Sequence, residues 1–356
     1  MTLMNTSAPT PDVLESRRVT MRDVAALAGV SLKTVSRVIN GEPNVSPDTA
    51  TRVQLAAKRL RYYPDVVAAN LARSDRQSRS IALLTSSVDN PFCSAVFRGV
   101  EEVARERQVV VFTASTEESP QTEEALLTAF ASRSVDGIIL TPTSQDHRAI
   151  FDRIDASIPV VCVDRYAPGL QCDVVTANNR EAARAATEHL LSHGHKRVAI
   201  ITDFSTISTA RDRLQGYTDA MAAAGLPIEK DYVAQDVNSE ADGMAALCAL
   251  MALPVPPTAI FASQLLLMVG ALRGLRQLGL AHEVAIIGID DVRAGDMIDP
   301  PLSVMAQNPV AIGRMAAERL FARLDGDDSP TQDIVVEVAP IFRGSGEIPA
   351  PANHGE

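Results

Sequence analysis

VSLKTVSRVIN occupies residues 30–40 and sets the reading of the N-terminal head of the chain. Val35, Val38 and Ile39 share one side at helical spacing, while Leu32, Lys33, Ser36 and Arg37 fall elsewhere. Ser31 is placed to cap this helix. Upstream, Thr20 precedes MRDVAALAG, and Asp23 stands three residues on, the spacing of a capping box. Val24, Leu27 and Ala28 are expected on one face of that first helix, and Gly29 suits the left-handed residue that ends it. Downstream, Asn40-Gly41 closes the second helix and Ser46-Pro47 opens a third, whose core face is Val53, Ala56, Ala57 and Leu60. Tyr63-Pro64 is expected to stop it. Two short helices joined by a tight glycine turn and backed by a third describe a helix-turn-helix unit.

Charge separates this head from the rest. The chain has 356 residues and a formal net charge of −11. Residues 17–79 carry twelve Lys/Arg against five Asp/Glu, so the remainder is strongly acidic. A basic head on an acidic body implies that the head meets a polyanion and the body does not. A helix fits the major groove, where Lys and Arg reach guanine O6 and N7. Taken on pattern alone, a solvated helical hairpin stays open as the alternative.

The length suits more than one core. No run approaches the ~18 apolar residues of a membrane span, and residues 1–17 read as a disordered tail rather than an export signal. The reading is therefore of a cytoplasmic protein. Cys93, Cys162, Cys172 and Cys248 are scattered without C-x-x-C spacing and read as small core residues.

VTMRDVAALAGVSLKTVSRVING, continued by VSPDTATRVQLAAKRLRYYPDVVAANLA, closely resembles the DNA-binding head of the lac-repressor (LacI/GalR) family over about fifty residues. The resemblance implies that Leu32, Lys33 and Arg37 read bases. It also puts Thr20, Ser31, Thr34, Asn40 and Ser46 near phosphates, with Ser36 on the same outward face. Short hydroxyl and amide side chains at helix starts suit phosphate oxygens. By the same resemblance, residues 65–79 hold a hinge helix and linker, in which Leu71 wedges into a minor-groove step; a flexible linker is the other reading. The head then spans 18–64.

From residue 80 the pattern changes. Short β-branched runs recur at 80–87, 109–115, 136–142 and 158–165, with helical stretches at 94–107 and 121–133 between them. The rhythm restarts at 197–203, 258–263 and 283–291. This alternation means βαβ units, parallel sheets and two similar halves with a cleft between them. Ligands of such sheets bind beyond the carboxyl ends of the strands. Those ends carry Ser86, Ser87, Asp89, Asn90, Thr113, Ser115, Asp164, Arg165, Asp203, Ser263, Gln264, Asp290 and Asp291.

Residues 80–345 resemble the effector domain of the same family, which is similar to periplasmic sugar-binding proteins. The landmarks are VDNPF, VDGIIL, IPVVCVDR, HLLSHGHKRVAII, RLQGY, IIGIDD and PLSVMAQNPVAIGRMAAERL. The resemblance implies a first lobe of 80–176 plus 307–336 and a second of 177–306 plus 337–345, joined by three crossings. It leaves 346–356 as a tail without apolar heptads, hence without a tetramerising coil. Family ligand positions fall on Arg213 and Asp290, with Phe92, Arg165, Thr209 and Gln264 beside them. Asp accepts bidentate bonds from adjacent hydroxyls and Arg donates to oxygen, a pair suited to a sugar. The plainer readings are a surface helix charge for Arg213 and a strand-end cap for Asp290.

Two departures stand out. SQLLLMVG at 263–270 has Gln264-Leu265 where the family commonly has Asn-Asp, and Asn178-Asn179 stands where Asp-Asn is common. Two missing acids suit a less hydroxylated or an anionic effector.

Other signals point elsewhere. His189, His193 and His195 include the i, i+4 spacing of helical metal ligands, but HLLSHGH is a helix end, where His favours the dipole; no metal and no cofactor are expected. Residues 244–253 read as a packing helix. No G-x-S-x-G, P-loop or G-x-G-x-x-G occurs, and Asp290-Asp291 on a strand would point apart, so no enzyme is expected. The fold expected is an all-α helix-turn-helix head with a two-lobed α/β body like periplasmic binding proteins. The function expected is a homodimeric DNA-binding regulator, a repressor of carbohydrate or related catabolic genes, that binds a near-palindromic operator and a small effector. The alternative is a transport-type solute-binding protein without a DNA role.

Overall fold

A computed structural model describes residues 19–39, 42–43, 45–62, 78–143, 146–152 and 154–352. The chain forms two compact units, Met1–Ser78 and Arg79–Glu356. Asn40 and Leu71, and with Leu71 the expected hinge helix, lie outside the described residues.

The first unit holds α1 (Met21–Ala28), α2 (Leu32–Ile39) and α3 (Pro47–Arg59). At the start of α1 the Asp23 carboxylate accepts from the Thr20 backbone N–H at 2.8 Å and from its hydroxyl at 2.7 Å. Gly29 ends the helix at φ 64°, and Val30 N–H closes back on the Ala25 carbonyl. This is the glycine-terminated end the sequence signals. Ser31 Oγ accepts from Thr34 N–H at 3.2 Å, and Ser46 Oγ from Thr49 N–H at 3.4 Å. Val24, Ala25, Ala28, Val35, Val53, Ala56 and Ala57 form the core. Two details differ from the sequence reading. Leu27 is 45% exposed, and Ala25 holds the expected place, because helices as short as α1 bury a narrow stripe. And α3 ends at Arg59, before Tyr63-Pro64. Arg61 turns left-handed (φ 51°), and Tyr62 N–H bonds the Ala57 carbonyl at 2.9 Å, so the helix is closed by its own backbone.

The second unit has two six-stranded sheets. The first contains β1 (Ser80–Thr85), β2 (Val110–Ser115), β3 (Gly137–Leu140), β4 (Val160–Val163), β5 (Asp173–Ala177) and β11 (Asp333–Val336) in the order β11-β5-β4-β3-β1-β2, all parallel. The second contains β6 (Val198–Ile201), β7 (Val233–Ala234), β8 (Ala259–Ala262), β9 (Ala285–Ile289), β10 (Ser303–Ala306) and β12 (Ala339–Ile341) in the order β12-β10-β9-β8-β6-β7. Its β12 is antiparallel to β10. Five strands of each sheet repeat one doubly wound order, so each lobe has a ligand-binding switch point beside its first strand.

Period-two alternation dictates which helix covers which face. Ile81 and Leu83 pack under α4 (Pro91–Glu106) and α11 (Pro309–Leu324), while Ala82 and Leu84 pack under α5 (Pro120–Ser132) and α6 (Arg148–Phe151). In the second lobe Val198 and Ile200 face α7 (Asn179–Ser192) and α8 (Ser208–Ala223), while Ala199 and Ile201 face α9 (Glu240–Met251) and α10 (Leu265–Leu278). The helix expected at 244–253 is α9. Helices α4 and α11 cross at glycines: a Cβ at Gly99 would stand 2.1 Å from the Val310 carbonyl oxygen, and one at Gly313 2.1 Å from that of Val96. Nothing larger than hydrogen permits that approach.

The chain passes from the first sheet to the second after β5, back after β10, and over again between β11 and β12. Asn178 braces two of these passes, its Oδ1 accepting from Val338 N–H at 2.8 Å. Residues past 345, expected as a tail, begin instead as part of the second lobe. The Ile348 carbonyl bonds His195, and Ala350 N–H donates to the His193 carbonyl at 3.0 Å. The Cys162 and Cys172 thiols, far apart by spacing, approach to 3.3 Å. No helix among the described residues is long and apolar enough to cross a membrane.

Candidate functional site

In the head, Val35 anchors α2 to the core and sets the rotation of the helix. Leu32 and Lys33 are thereby exposed in its first turn, while Thr34, Ser36 and Arg37 are half-buried on its flanks. Leu32 is 45% exposed although apolar. Leu32 is therefore not part of the packed core of this unit. Arg37 Nε lies 3.8 Å from a Glu42 carboxylate oxygen, and the two side chains are 42% and 50% exposed. Such a pair contributes little to stability and is readily exchanged. Ser31 and Ser46 are exposed at the starts of α2 and α3, and Thr20 is half-buried at the start of α1.

In the body, a cavity of about 190 Å³ opens where the carboxyl ends of the two sheets face each other. Six side chains singled out from the sequence line it together: Phe92, Arg165, Thr209, Arg213, Gln264 and Asp290. Ser86, Ser87, Asn90, Asp164 and Asp203 join them, whereas Asp89, Thr113, Ser115, Ser263 and Asp291 do not. The sequence reading missed Glu117, Glu118, Asn238, Leu266 and Gln307.

Backbone strain marks the site. Asp164 follows the last residue of β4 at φ 67°, and Asp290 follows the last residue of β9 at φ 69°. Non-glycine residues seldom hold this conformation, and they gather where function requires it. The two lobes thus present equivalent strand-end aspartates to one cleft. Asp291, next in line, turns away and pairs with Arg343 through two bonds of 2.9 Å.

The two arginines behave differently. Arg213, on α8, is buried and donates from Nε to Asn179 Oδ1 and from Nη1 to the Ser263 carbonyl, both at 2.8 Å. These bonds fix the guanidinium plane beside Asp290. Arg165 is saturated by protein. Its terminal nitrogens each reach a Glu118 oxygen at 2.8 Å, and its Nε reaches Asp164 at 3.2 Å. Burial alone would lower its pKa, but the Glu118 and Asp164 charges outweigh that and raise it. Arg165 therefore orders Glu118 and Asp164.

Burial also acts on the acids. It pushes Asp290 up to about 6, against the opposing pull of Arg213 and of the 2.9 Å bond from Gln307 Nε2. Burial raises Asp203 as well, offset in part by the Phe204 N–H that it accepts. Gln264 caps α10, its Oε1 accepting from Leu266 N–H at 2.7 Å and Leu267 N–H at 3.1 Å. Leu265 is buried beneath it.

These charges correct one expectation. The two missing acids, at Leu265 and Asn178, suggested a less hydroxylated or an anionic effector, and the charges speak against the second of these. Five carboxylates (Glu117, Glu118, Asp164, Asp203, Asp290) line the cavity against two guanidiniums, one of them already neutralised by Glu118. An added anion would meet net repulsion. The cleft suits a neutral or cationic molecule with several hydroxyl or amine donors.

A helix-turn-helix head joined in one chain to a two-lobed α/β body with a polar cleft defines a DNA-binding transcription regulator. Residues 20–65 match the model of bacterial regulatory proteins of the lacI family, and 187–346 match a periplasmic binding protein-like domain. The chain is 34% identical to the ribose operon repressor of Escherichia coli (strain K12), over 92% of this chain and 99% of that one. It is 31% identical to the HTH-type transcriptional repressor CytR of the same strain, over 92% and 96%. Among solved structures, a complex of the transcriptional regulator CelR with cellobiose is similar at 31% identity and a TM-score of 0.69, covering 92% of this chain and all of that one. The chain belongs to the lacI family of bacterial regulatory proteins.

Proposed function

We propose that this protein is a cytoplasmic repressor that binds a near-palindromic operator as a homodimer and releases or tightens its grip when a compact, hydroxyl-bearing molecule occupies the cleft. One observation carries the reading: a cleft with a strained aspartate from each lobe shares a chain with a head that displays Leu32 and Lys33. We assign base reading to Leu32, Lys33 and Arg37, and phosphate contacts to Thr20, Ser31, Thr34 and Ser46. Two-fold protein symmetry matches two-fold DNA symmetry. The head at 18–64 and the effector body from 80 onward form the working division. Similarity to repressors favours regulation over catalysis. The head argues against a transport-type binding protein.

In the cleft, Asp290 accepts from adjacent hydroxyls while Arg213 donates to a ring or hydroxyl oxygen. The volume lies below the ~300–1,000 Å³ of drug-sized sites, so one sugar ring or a nucleoside fits better than a disaccharide. Ligand contacts to both lobes favour their closure, and coupling of about 1–3 kcal/mol to DNA affinity is typical. A thermal-shift screen of sugars, polyols, nucleosides and sugar acids tests this. Ligand at ~100 times its Kd adds about 2.7 kcal/mol. Neutral polyhydroxylated compounds are expected to raise Tm and sugar acids to leave it unchanged; a sugar acid as sole hit would contradict the charge reading.

Asp290 makes the site sensitive to pH. Its folded pKa of about 6 lies above that of a free aspartate. Protonation therefore favours the folded state, and Asp290 lowers stability as pH rises from about 4 to 6, with a constant penalty above. Effector binding runs the other way, because the carboxylate is the acceptor. Asp290→Asn is expected to raise stability at pH 7.5 by on the order of 1–2 kcal/mol and to weaken effector binding. The wild-type loss of affinity on going below pH 6 should disappear in the variant. Paired thermal melts and titrations at pH 5.5 and 7.5 check both.

A further inference from the structure

The end of α7 carries a cluster outside the effector cleft. His189 and His193 stand one turn apart, with ring centroids 4.6 Å from each other. The chain returns 154 residues later to place Glu347 against them. Glu347 Oε1 is 3.2 Å from His189 Nε2, and Oε2 is 3.3 Å from His193 Nε2. All three donor atoms lie within 4.8 Å. Neighbouring ligands around tetrahedral zinc, with bonds of about 2.0–2.1 Å, sit about 3.3 Å apart.

The surroundings prepare both rings. His193 Nδ1 lies 3.0 Å from the His189 carbonyl oxygen, an acceptor, so the tautomer that donates from Nδ1 leaves Nε2 with its lone pair toward Glu347. This backbone-anchored tautomer is the usual support of a metal-bound histidine. The His189 ring is stacked on Phe342 at 3.6 Å and 12°. Its Nε2 is buried without a hydrogen-bond partner, because the approach to Glu347 lacks hydrogen-bond geometry. His195 is not part of the set; its two nitrogens are committed to Thr258 Oγ1 and the Ile348 carbonyl, each at 2.9 Å.

We propose that His189, His193 and Glu347 bind one divalent transition-metal ion, Zn2+ by the two-nitrogen, one-oxygen donor set, with water completing the shell. The ion joins the end of α7 to the segment after β12. The Ala350–His193 and Ile348–His195 bonds already hold that segment in place.

The test titrates ZnCl2 into the untagged full-length chain by calorimetry and thermal melting, with Co2+ as a spectroscopic substitute. One zinc per chain, a raised Tm and the visible bands of tetrahedral Co2+ are expected. His193→Gln and Glu347→Gln should each weaken affinity by more than about 100-fold, beyond the 10–100-fold cost of losing a supporting residue. Their metal-free melts should show an intact fold. Failure of the wild-type chain to bind zinc, or equal affinity and stoichiometry in the wild type and both variants, would overturn the assignment.

Discussion

Arg213→Ala is expected to abolish the response to effector while leaving a protein that still binds DNA. The substitution removes a guanidinium fixed by two buried bonds of 2.8 Å and leaves Asn179 Oδ1 and the Ser263 carbonyl without that donor. Stability should fall by about 2–3 kcal/mol, the cost of orphaned buried acceptors. Effector affinity should fall at least about 100-fold, because a charge-assisted contact is lost and Asp290 is left without its nearest opposing charge. Arg213→Lys keeps the charge but not the planar fork, and should recover only part of the affinity. The check is half-saturation by effector in a DNA-binding titration. An unchanged value in Arg213→Ala would place the effector elsewhere.

Arg37→Ala should act on the head alone. A bidentate arginine–guanine contact is worth about 1–3 kcal/mol of discrimination. Two heads on one operator double that to about 2–6 kcal/mol, or roughly 30-fold to 20,000-fold. The loss should appear at one base pair per half-site, with random DNA bound nearly as before. The Glu42 carboxylate near Arg37 does not oppose this, since an exposed pair at 3.8 Å is easily given up. A uniform loss over all sequences, with a shallower salt dependence, would make Arg37 a phosphate contact instead.

Much of this arrangement was legible before the structure, for identifiable reasons. Thr20/Asp23, Gly29, Ser31 and Ser46-Pro47 are local signals, and local hydrogen bonds honour them. The strand runs missed are β5, β7, β10, β11 and β12: β7 has two residues, too few for any period, and β11 and β12 are short, largely exposed edge strands. Misses in the site follow from this. Gln307 sits just past the unread β10. Glu117 and Glu118 lie beyond β2 on a loop of two consecutive left-handed residues, at φ 48° and 54°, which no strand pattern signals. The pairing of Arg165 with Glu118, 47 residues away, was not legible because it is tertiary. Glu347 could not be joined to His189 and His193 by spacing at all. Asp164 and Asp290 were legible because strand ends are where doubly wound sheets place their chemistry.

The most direct measurement is selection of DNA from a random-sequence pool by the intact chain, followed by sequencing of what is bound. Enrichment of a near-palindrome, with one position per half-site relaxed in Arg37→Ala, is the expected result. No enrichment over the starting pool, or a single asymmetric site indifferent to Leu32, Lys33 and Arg37, would contradict a dimeric regulator that reads DNA through α2.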